Sequence, residues 1–275
     1  MSTNRTDKEL AFLYDLYVAP DWGERFAELF DEHVVLPKAG RALYVAAGTG
    51  GHALAVVERA GGDVSLMCVD ESEERLELAR EKAKILKSGA QVEFRLGQPD
   101  GLGFEDEQFE LVMGDASLVV SERLPEMLSE MVRVAVPGAT IALNLTTASS
   151  FGEFFSIYWE ALGNVGLGEH GSTVEALINE LHTVSDVEAM AAREALDDVQ
   201  SWTRIEEFNF PSGEEFISAP LIRDFLLGGW LDALPDDEAR GRVVEEVARI
   251  IDEERQGGDF ALSIKATLVV GRKAD

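Results

Sequence analysis

The chain has 275 residues, of which 46% are apolar and 28% are charged. This composition supplies enough apolar side chains for a large core and excludes a disordered chain. Aspartate and glutamate number 52 against 24 lysines and arginines, so the formal net charge is −28. This excess of acid argues against a nucleic-acid partner, because phosphate backbones are bound mainly by lysine and arginine.

The N-terminal segment and the cysteine content predict a cytoplasmic location. The opening MSTNRTDKELAFLYDLY lacks the order of basic patch, apolar run and cleavage site that marks a signal peptide. No apolar stretch reaches the ~18 residues of a membrane span, so we expect no contact with a membrane. Cys68 is the only cysteine, which excludes an intrachain disulfide and a cysteine-based zinc site. The histidines lack metal-ligand spacing, so we expect no metal.

Segments typical of strands and helices alternate through the first half of the chain. Helices are expected at His52–Arg59, after an N-cap at Ser72, and at Leu124–Val134, where Pro137-Gly138 breaks the pattern. Five apolar runs predict strands at Ala42–Ala47, Val64–Val69, Val92–Leu96, Phe109–Met113 and Thr140–Leu145. This alternation predicts a mainly parallel sheet with helices on both faces, and such sheets bind ligands at the carboxyl ends of their strands.

The second half predicts more helices and two more strands. Ser185 is the expected N-cap of the third of these helices. The predicted helices are Phe151–Leu162, Thr173–Leu181, Asp186–Leu196, Glu214–Leu234 and Asp236–Arg255, and the predicted strands are Val199–Phe210 and Phe260–Val270. The aromatic spacing of the first helix indicates that this helix faces a core.

The turn after the first predicted strand is the strongest local signal for a binding site. Its sequence is AAGTGG, at residues 46–51. Glycines allow the backbone to approach a ligand closely, and the helix that follows offers its N-terminal amides to an anionic group. The alternative is a turn that only packs the helix against the sheet.

Asp70 closes the second predicted strand, roughly twenty residues after the glycine turn. A carboxylate at this spacing can accept hydrogen bonds from both ribose hydroxyls of a nucleoside. The alternative is an aspartate that helps to cap the next helix.

Five segments in order resemble the class I S-adenosylmethionine-dependent methyltransferases: LYVAAGTGG, VSLMCVDESEERLELAR, VEFRLGQPD, FELVMGDAS and RVAVPGATIAL. The resemblance covers residues 40–146. The N-terminal YDLYVAPDWGERFAELFD is similar to the cap helices of small-molecule members of the family. The resemblance implies an α/β, Rossmann-like, doubly wound and mostly parallel seven-stranded sheet with a reversed last strand and an N-terminal helical cap. It also implies S-adenosylmethionine as cofactor and methyl transfer to a small molecule.

The same resemblance implies one domain with three parts. Residues 1–38 would form the helical cap, and residues 39–146 would form the cofactor-binding core. Residues 147–275 would supply the remaining helices, the last two strands and a helical insertion that helps to cover the pocket.

Ten cofactor-binding residues are implied by the resemblance. Those beside the methionine part and the sulfonium are Ala46, Gly48, Thr49, Gly50, Asp115 and Ala116. Those beside the ribose and adenine are Asp70, Glu71, Gly97 and Gln98. The chain departs from the family where Tyr44 replaces an acidic residue, Ala46 replaces a glycine and Gln98 replaces an aspartate. The sequence shows no convincing catalytic base.

Two other functions stay open at this point. A nicotinamide-dependent oxidoreductase is one, because residues 48–53 also satisfy G-x-G-x-x-A and Asp70 suits its ribose equally well. Against this interpretation, the chain has no tyrosine-x-x-x-lysine pair, and a helical segment precedes the glycine turn. The other is a degenerate methyltransferase fold that binds cofactor or metabolite without catalysis, an idea that Tyr44 and Ala46 motivate.

Overall fold

A computed structural model describes residues 5–60, 62–86, 89, 91–254 and 257–274. Its strands are β1 Gly40–Val45, β2 Val64–Asp70, β3 Val92–Leu96, β4 Phe109–Asp115, β5 Ala135–Thr146, β6 Leu196–Phe210 and β7 Phe260–Lys273. They form a seven-stranded sheet in the order β3-β2-β1-β4-β5-β7-β6. Strands β1 to β5 pair in parallel, and β7 runs antiparallel to β5. The predicted fold class, with its reversed last strand, is confirmed.

Eleven α-helices surround or connect these strands in the described part of the chain. They are α1 Asp7–Leu13, α2 Glu24–His33, α3 Gly51–Ala60, α4 Glu73–Ala83, α5 Leu124–Val134, α6 Gly152–Asn164, α7 Gly171–Glu180, α8 Val184–Arg193, α9 Gly213–Ser218, α10 Leu227–Trp230 and α11 Asp237–Glu254. Two segments are π-helical, namely Tyr14–Gly23 and Leu221–Leu226. No helix among the described residues is long and apolar enough to cross a membrane.

The chain divides into two compact units. The larger comprises Thr6–Thr146, Thr183–Arg204 and Ala266–Asp275, and the smaller comprises Met1–Arg5, Thr147–His182 and Ile205–Lys265. In the larger unit, the buried faces of β1, β4 and β5 pack in one cluster with α5. The apolar stripe of α5 explains its place there, because an amphipathic helix gains about 1.5–3 kcal/mol for each large apolar side chain it buries.

The N-terminal helices are fixed to the ends of β4 and β5. Trp22 is buried, and its indole nitrogen donates a hydrogen bond of 2.9 Å to the Ser117 hydroxyl, just after β4. The Asn144 side-chain amide, near the end of β5, donates to the Phe26 carbonyl of α2 at 2.6 Å. These contacts hold α2 beside the carboxyl ends of the central strands, where the sequence predicts a ligand site.

The smaller unit has an aromatic core built around α6. Phe154 stacks on Trp230 with ring centroids 4.2 Å apart and on Tyr158 at 5.6 Å. Phe151 precedes the helix with a left-handed φ of 62°, so α6 begins at Gly152. The aromatic spacing therefore predicts a core-facing helix correctly.

The structure corrects the turn predicted at Pro137-Gly138. Strand β5 begins at Ala135, directly after α5, and Ala135 already pairs with Phe109 of β4. The next pair is Leu111 with Thr140, so the residues between form an irregularity within the strand. Proline is tolerated at such a position because a bulge does not require its missing amide hydrogen.

Two predicted helix boundaries also change. Helix α8 is capped by Thr183 and not by Ser185, because the Thr183 hydroxyl and the Asp186 carboxylate form a reciprocal capping box. The long helix predicted over Glu214–Leu234 is interrupted after Ser218. Pro220 lacks an amide hydrogen and disfavours helical backbone in the residue before it, so the chain restarts as a π-helix.

Candidate functional site

A cleft of about 380 Å³ opens in the larger unit, between the carboxyl ends of β1 and β4 and the N-terminal helices. This volume falls within the roughly 300–1,000 Å³ typical of small-molecule sites. Four of the ten predicted cofactor residues line the cleft: Ala46, Thr49, Gly50 and Asp115. The residues that line the cleft do not include the other six, which are Gly48, Asp70, Glu71, Gly97, Gln98 and Ala116.

The glycine turn has three residues with left-handed backbone. Their φ angles are 56° at Ala46, 57° at Gly48 and 75° at Gly50. A left-handed φ costs an L-residue roughly 1–2 kcal/mol, which gives a physical reason for the glycine that the family has at position 46. At Gly48 a Cβ would stand 2.8 Å from the Tyr14 hydroxyl oxygen, so any side chain there would collide with Tyr14.

The position of Gly50 bears on the two interpretations of the glycine turn. Its backbone lines the cleft, but a Cβ on it would stand 2.8 Å from the Ala79 Cβ and 3.2 Å from Phe94. These atoms belong to α4 and β3, so the absent side chain allows close packing inside the protein. A Cβ at Gly50 would thus meet α4 and β3, which favours the packing alternative, and the φ of 75° also disfavours any side chain there.

Asp70 joins the glycine turn to the start of the next helix. Its carboxylate is 3% exposed and accepts hydrogen bonds from the amide of Gly48 at 2.8 Å and of Ser72 at 3.0 Å. Burial raises the pKa of Asp70, while Arg75 and these two amides oppose that rise. The carboxylate thus organises the turn, and Ser72 caps α4 as predicted.

Glu71 and Gln98 are joined by an arginine that the sequence did not single out. One terminal nitrogen of Arg123 donates to Glu71 at 2.9 Å, and the other donates to Gln98 at 2.6 Å and to Asp100 at 2.7 Å. Asp100 and then Glu71 raise the pKa of Arg123 above its ordinary value. Two predicted adenosine contacts are therefore held by one guanidinium.

The remaining predicted residues follow strand ends. The amide of Gly97, after β3, donates to the Asp70 carbonyl at 3.1 Å, and the amide of Ala116 donates to the Asn144 carbonyl at 2.7 Å. Asp115 ends β4, and its carboxylate accepts the Ser117 amide at 3.0 Å. Burial raises the pKa of Asp115 above its ordinary value, against the opposing hydrogen bonds from Ser117.

A polar group on one wall connects the glycine turn to the π-helical segment. The Thr49 hydroxyl donates to the Asp15 carboxylate at 2.6 Å, and the Lys82 ammonium donates to the Thr49 carbonyl at 3.1 Å. Lys82 and Asp15 also form an ion pair. The sequence alone places Lys82 only at the end of a helix, because the partner lies 67 residues away.

Three further side chains that line the cleft form a hydrogen-bonded series. The Tyr44 hydroxyl lies 2.9 Å from His52 Nδ1, and His52 Nε2 lies 2.8 Å from the Asp31 carboxylate. Arg59 also donates to Asp31. A local signal for the first pair exists in the sequence, since Tyr44 is on the strand before the glycine turn and His52 is in the first turn of the helix after it. Asp31 comes from α2, and no local pattern connects it to them.

S-adenosylmethionine fits these residues on one observation. Each Asp70 oxygen accepts one amide, and a carboxylate oxygen has capacity for a second donor, such as a ribose hydroxyl. The group would be held by the glycine turn, Asp70 and the strand end at Asp115.

Comparison with known proteins finds a matching domain family and several similar folds. Residues 42–138 match the family described as methyltransferase domain, and a search of curated proteins finds no match. The YcgJ protein from Bacillus subtilis is similar in structure, with a TM-score of 0.61, 18% identity, and coverage of 92% of this chain and 99% of that chain.

Two further solved structures share the fold. A putative methyltransferase from Bacillus halodurans has a TM-score of 0.56 at 17% identity, covering 91% of this chain and 99% of that chain. The geranyl diphosphate C-methyltransferase from Streptomyces coelicolor, solved with S-adenosyl-L-homocysteine, has a TM-score of 0.53 at 11% identity, covering 92% and 81%. Residues 42–138 of the chain therefore match a methyltransferase domain, and the chain shares the fold of these solved structures.

Proposed function

We propose that the protein transfers a methyl group from S-adenosylmethionine to a small molecule in the cleft. One observation carries the proposal: Asp70 binds the left-handed glycine turn at the edge of a cleft that Asp115 also lines. Ligands of open α/β sheets bind at this edge. The structure with a bound S-adenosyl-L-homocysteine is a relative with the same fold, which supports the choice of cofactor.

The protein contributes to the reaction mainly by positioning the acceptor and the cofactor. Bound S-adenosylmethionine supplies an electrophilic methyl group, so the chain must chiefly align an acceptor and exclude water. Glu71 and Gln98 would receive the adenosine end, and Thr49 and Asp115 would border the methionine end. We further propose a cytoplasmic location and an acceptor that is not a nucleic acid, in line with the acidic composition.

Calorimetric titration tests this function. We expect S-adenosylmethionine to bind with a dissociation constant on the order of micromolar, and Gly48→Val to abolish that binding. Gly163→Val is the matched control, because Gly163 is in a helix and a Cβ there meets no atom within 4 Å. Binding of NADH in place of S-adenosylmethionine would support the oxidoreductase alternative and contradict the proposal.

A cofactor-binding protein without catalysis is the second candidate. It is favoured by the contacts that Tyr14 and Arg123 make around Gly48 and Gln98, because these side chains stand where the cofactor is expected. Micromolar binding with no loss of labelled methyl to any acceptor would support this candidate.

A further inference from the structure

The series Tyr44–His52–Asp31 lines the cleft and has the geometry of a proton-accepting pair with an orienting carboxylate. All three residues belong to the cleft wall. Tyr44 is 4% exposed, so its hydroxyl is held in one environment by the distance of 2.9 Å to His52 Nδ1. A base and an orienting partner within hydrogen-bonding distance of each other are what general base catalysis requires.

The ionisation of Asp31 fixes the direction of the hydrogen bonds. Burial acts to raise the pKa of Asp31, but hydrogen bonds from His52 and Arg59 outweigh it and hold that pKa below its ordinary value. An ionised carboxylate only accepts hydrogen bonds. His52 must therefore donate from Nε2 to Asp31, and in the neutral imidazole this leaves Nδ1 as the acceptor for the Tyr44 hydroxyl.

The packing around His52 holds the ring in this orientation. The Phe30 ring of α2 stacks on the imidazole at 5.8 Å between centroids. The phenol ring of Tyr44 meets the imidazole edge at an interplanar angle of 90°. A ring held from two sides keeps its Nδ1 lone pair directed at the Tyr44 oxygen.

The charges along the cleft select the class of acceptor. Lys82 is paired with Asp15, and Arg204 is paired with Glu28. Within the described residues, the structure gives no ion pair for the two other cleft carboxylates, Glu24 and Asp115. Since Asp115 is assigned to the methionine end of the cofactor, Glu24 is the unpaired carboxylate that remains for the acceptor, and its charge favours a cationic ligand over an anionic one.

We propose that Tyr44 and His52 form the proton-accepting pair of the proposed methyl transfer, and that the acceptor is a primary or secondary amine that enters as an ammonium ion. This inference rests on the proposed function. An ammonium nitrogen has no free lone pair, so an acceptor of this class needs a base inside the cleft before it can react.

The proton of the ammonium ion leaves through Tyr44 and His52. The ammonium nitrogen gives one proton to the Tyr44 oxygen while the Tyr44 hydroxyl proton passes to His52 Nδ1. The amine is then neutral with a free lone pair, and the imidazolium formed is paired with the Asp31 carboxylate. Methyl transfer forms a carbon–nitrogen bond from that lone pair and returns the sulfur–carbon bonding pair to sulfur. The proton on His52 then leaves to solvent.

The pH dependence of the methyl-transfer rate would arise from His52 and from the titratable and charged groups near it. His52 hydrogen-bonds to the Tyr44 hydroxyl of β1 and to the Asp31 carboxylate of α2, and Arg59, in the same helix as His52, donates to Asp31. Asp115 of β4 interacts with both Tyr44 and His52, and Tyr14 and Cys68 are further titratable groups that act on Tyr44. A variant at His52 removes the proton acceptor and leaves these other groups in place.

The test begins with binding. The wild-type protein in the presence of S-adenosyl-L-homocysteine is titrated with a panel of primary and secondary amines and with the matched alcohols and carboxylates. Transfer of labelled methyl from S-adenosylmethionine is then measured for the same compounds. We expect binding and transfer with amines only, at a rate that rises with pH to a plateau.

Variants distinguish the loss of proton transfer from a general loss of structure or of cofactor binding. His52→Gln and Tyr44→Phe should lower kcat about 10²–10⁴-fold and flatten its pH profile, with S-adenosylmethionine affinity unchanged within about threefold. His33→Gln is the matched control, because His33 stacks on Trp202 outside the cleft lining. We expect wild-type rates for this control.

A measurement without turnover tests the same geometry. Nitrogen-15 chemical shifts should show His52 protonated on Nε2 and unprotonated on Nδ1, with a change at Nδ1 in Tyr44→Phe. Protonation on Nδ1 in the resting protein overturns the proposal. So does wild-type kcat in His52→Gln, preference for an alcohol or carboxylate, or the absence of transfer to any amine.

The outcomes distinguish this inference from the function on which it rests. Failure of the wild-type protein to bind S-adenosylmethionine contradicts both. Tight cofactor binding with transfer to a non-amine contradicts only the inference. Loss of cofactor binding in Tyr44→Phe, with no separate effect on kcat, would make Tyr44 a cofactor contact and also overturn the inference.

Discussion

The polar residues on the two sides of Asp70 have different kinds of hydrogen-bond partner and different exposure to solvent. On the cleft side, polar groups such as Thr49 and Tyr44 are 1% and 4% exposed and hydrogen-bond to partners from the N-terminal helices and α3. On the other side, Glu71 and Gln98 bond to Arg123, and the side chains of this group are about a quarter to a half exposed. The first arrangement lines the cleft, and in the second one arginine holds two residues that the sequence predicts to contact adenosine.

The difference in exposure separates their energetic roles. Buried hydrogen bonds are costly to break, because an unpaired buried polar group costs about 1–3 kcal/mol. Exposed ion pairs contribute about 0–1 kcal/mol. The cleft side is therefore a fixed part of the fold, whereas Arg123 can leave its partners at little cost when a ligand arrives.

The largest expected effect is that of Asp70→Ala, which removes the carboxylate that holds the glycine turn on the cleft side. A buried amide at Gly48 and a partly buried amide at Ser72 lose their acceptor, so the free energy of unfolding should fall by about 2–5 kcal/mol. S-adenosylmethionine affinity in the folded fraction should fall about ten- to a hundredfold. Denaturant unfolding and calorimetry measure the two effects.

Asp63→Ala is the control for Asp70→Ala, because it removes an exposed aspartate from the same region. It should change stability by less than about 1 kcal/mol. Equal unfolding free energies for the wild type and Asp70→Ala would show that the carboxylate does not hold the turn.

The next largest effect is a loss of folding stability at alkaline pH, which comes from two buried groups, Tyr44 on the cleft side and Cys68 in β2. Burial raises the pKa values of Tyr44 and Cys68, whose ordinary values are 10.0 and 9.0. The folded state keeps both neutral while the unfolded state ionises, so stability is complete below pH 9 and falls above it. Each group should contribute up to about 1.4 kcal/mol per pH unit.

Denaturant unfolding between pH 8 and pH 11 measures this loss. Tyr44→Phe should reduce the slope, and Tyr17→Phe should not, because Tyr17 is 56% exposed. An unchanged slope in Tyr44→Phe would contradict the assignment to the cleft side.

The third effect concerns the exposed side. Arg123→Ala should leave stability within about 1 kcal/mol of the wild type. It should also raise affinity for S-adenosylmethionine up to about tenfold, or about 1.4 kcal/mol, because Glu71 and Gln98 then become available to the ligand. Calorimetry on Arg123→Ala and Arg123→Lys measures this, and Lys keeps the charge without the planar fork.

Weaker binding in Arg123→Ala would reverse the interpretation of this side. It would show that the guanidinium supports the ligand and does not compete with it. Weaker binding in Arg123→Lys as well would assign that support to the fork geometry.

The smallest effect is a gain at the glycine turn. Ala46→Gly relieves a left-handed φ of 56° and should raise the free energy of unfolding by about 0.5–1 kcal/mol. Ala47→Gly is the control, since Ala47 is not among the residues with positive φ, and it should lower stability slightly. Differential scanning calorimetry resolves both, and a lower melting temperature for Ala46→Gly would contradict the strain.

The sequence predicts what depends on neighbouring residues. Strand β3 and helix α5 have the predicted bounds, and Ser72 caps α4, because periodicity and capping act within a few residues. The glycine turn and Asp70 are found for the same reason. Thr183 was missed because Ser185, two residues on, presents a similar local signal.

Contacts between distant segments were not predictable in this way. Arg123 meets Glu71 across 52 residues, and Asp31 meets His52 across 21. Nothing near either residue distinguishes it from other charged residues in a chain with 52 acids and 24 cations. The direction of the absent Cβ at Gly50 likewise depends on how α4 packs and not on the turn itself.

The single cysteine of the chain provides a native reporter of how often the sheet opens. Cys68 is fully buried in β2, between β1 and β3, and its raised pKa keeps it in the unreactive thiol form. A thiol-specific label can therefore react only when β2 separates from its neighbours. The labelling rate converts into an opening free energy for the strand that ends at Asp70, with no engineered probe. A ligand that contacts Asp70 should slow this labelling in proportion to its occupancy.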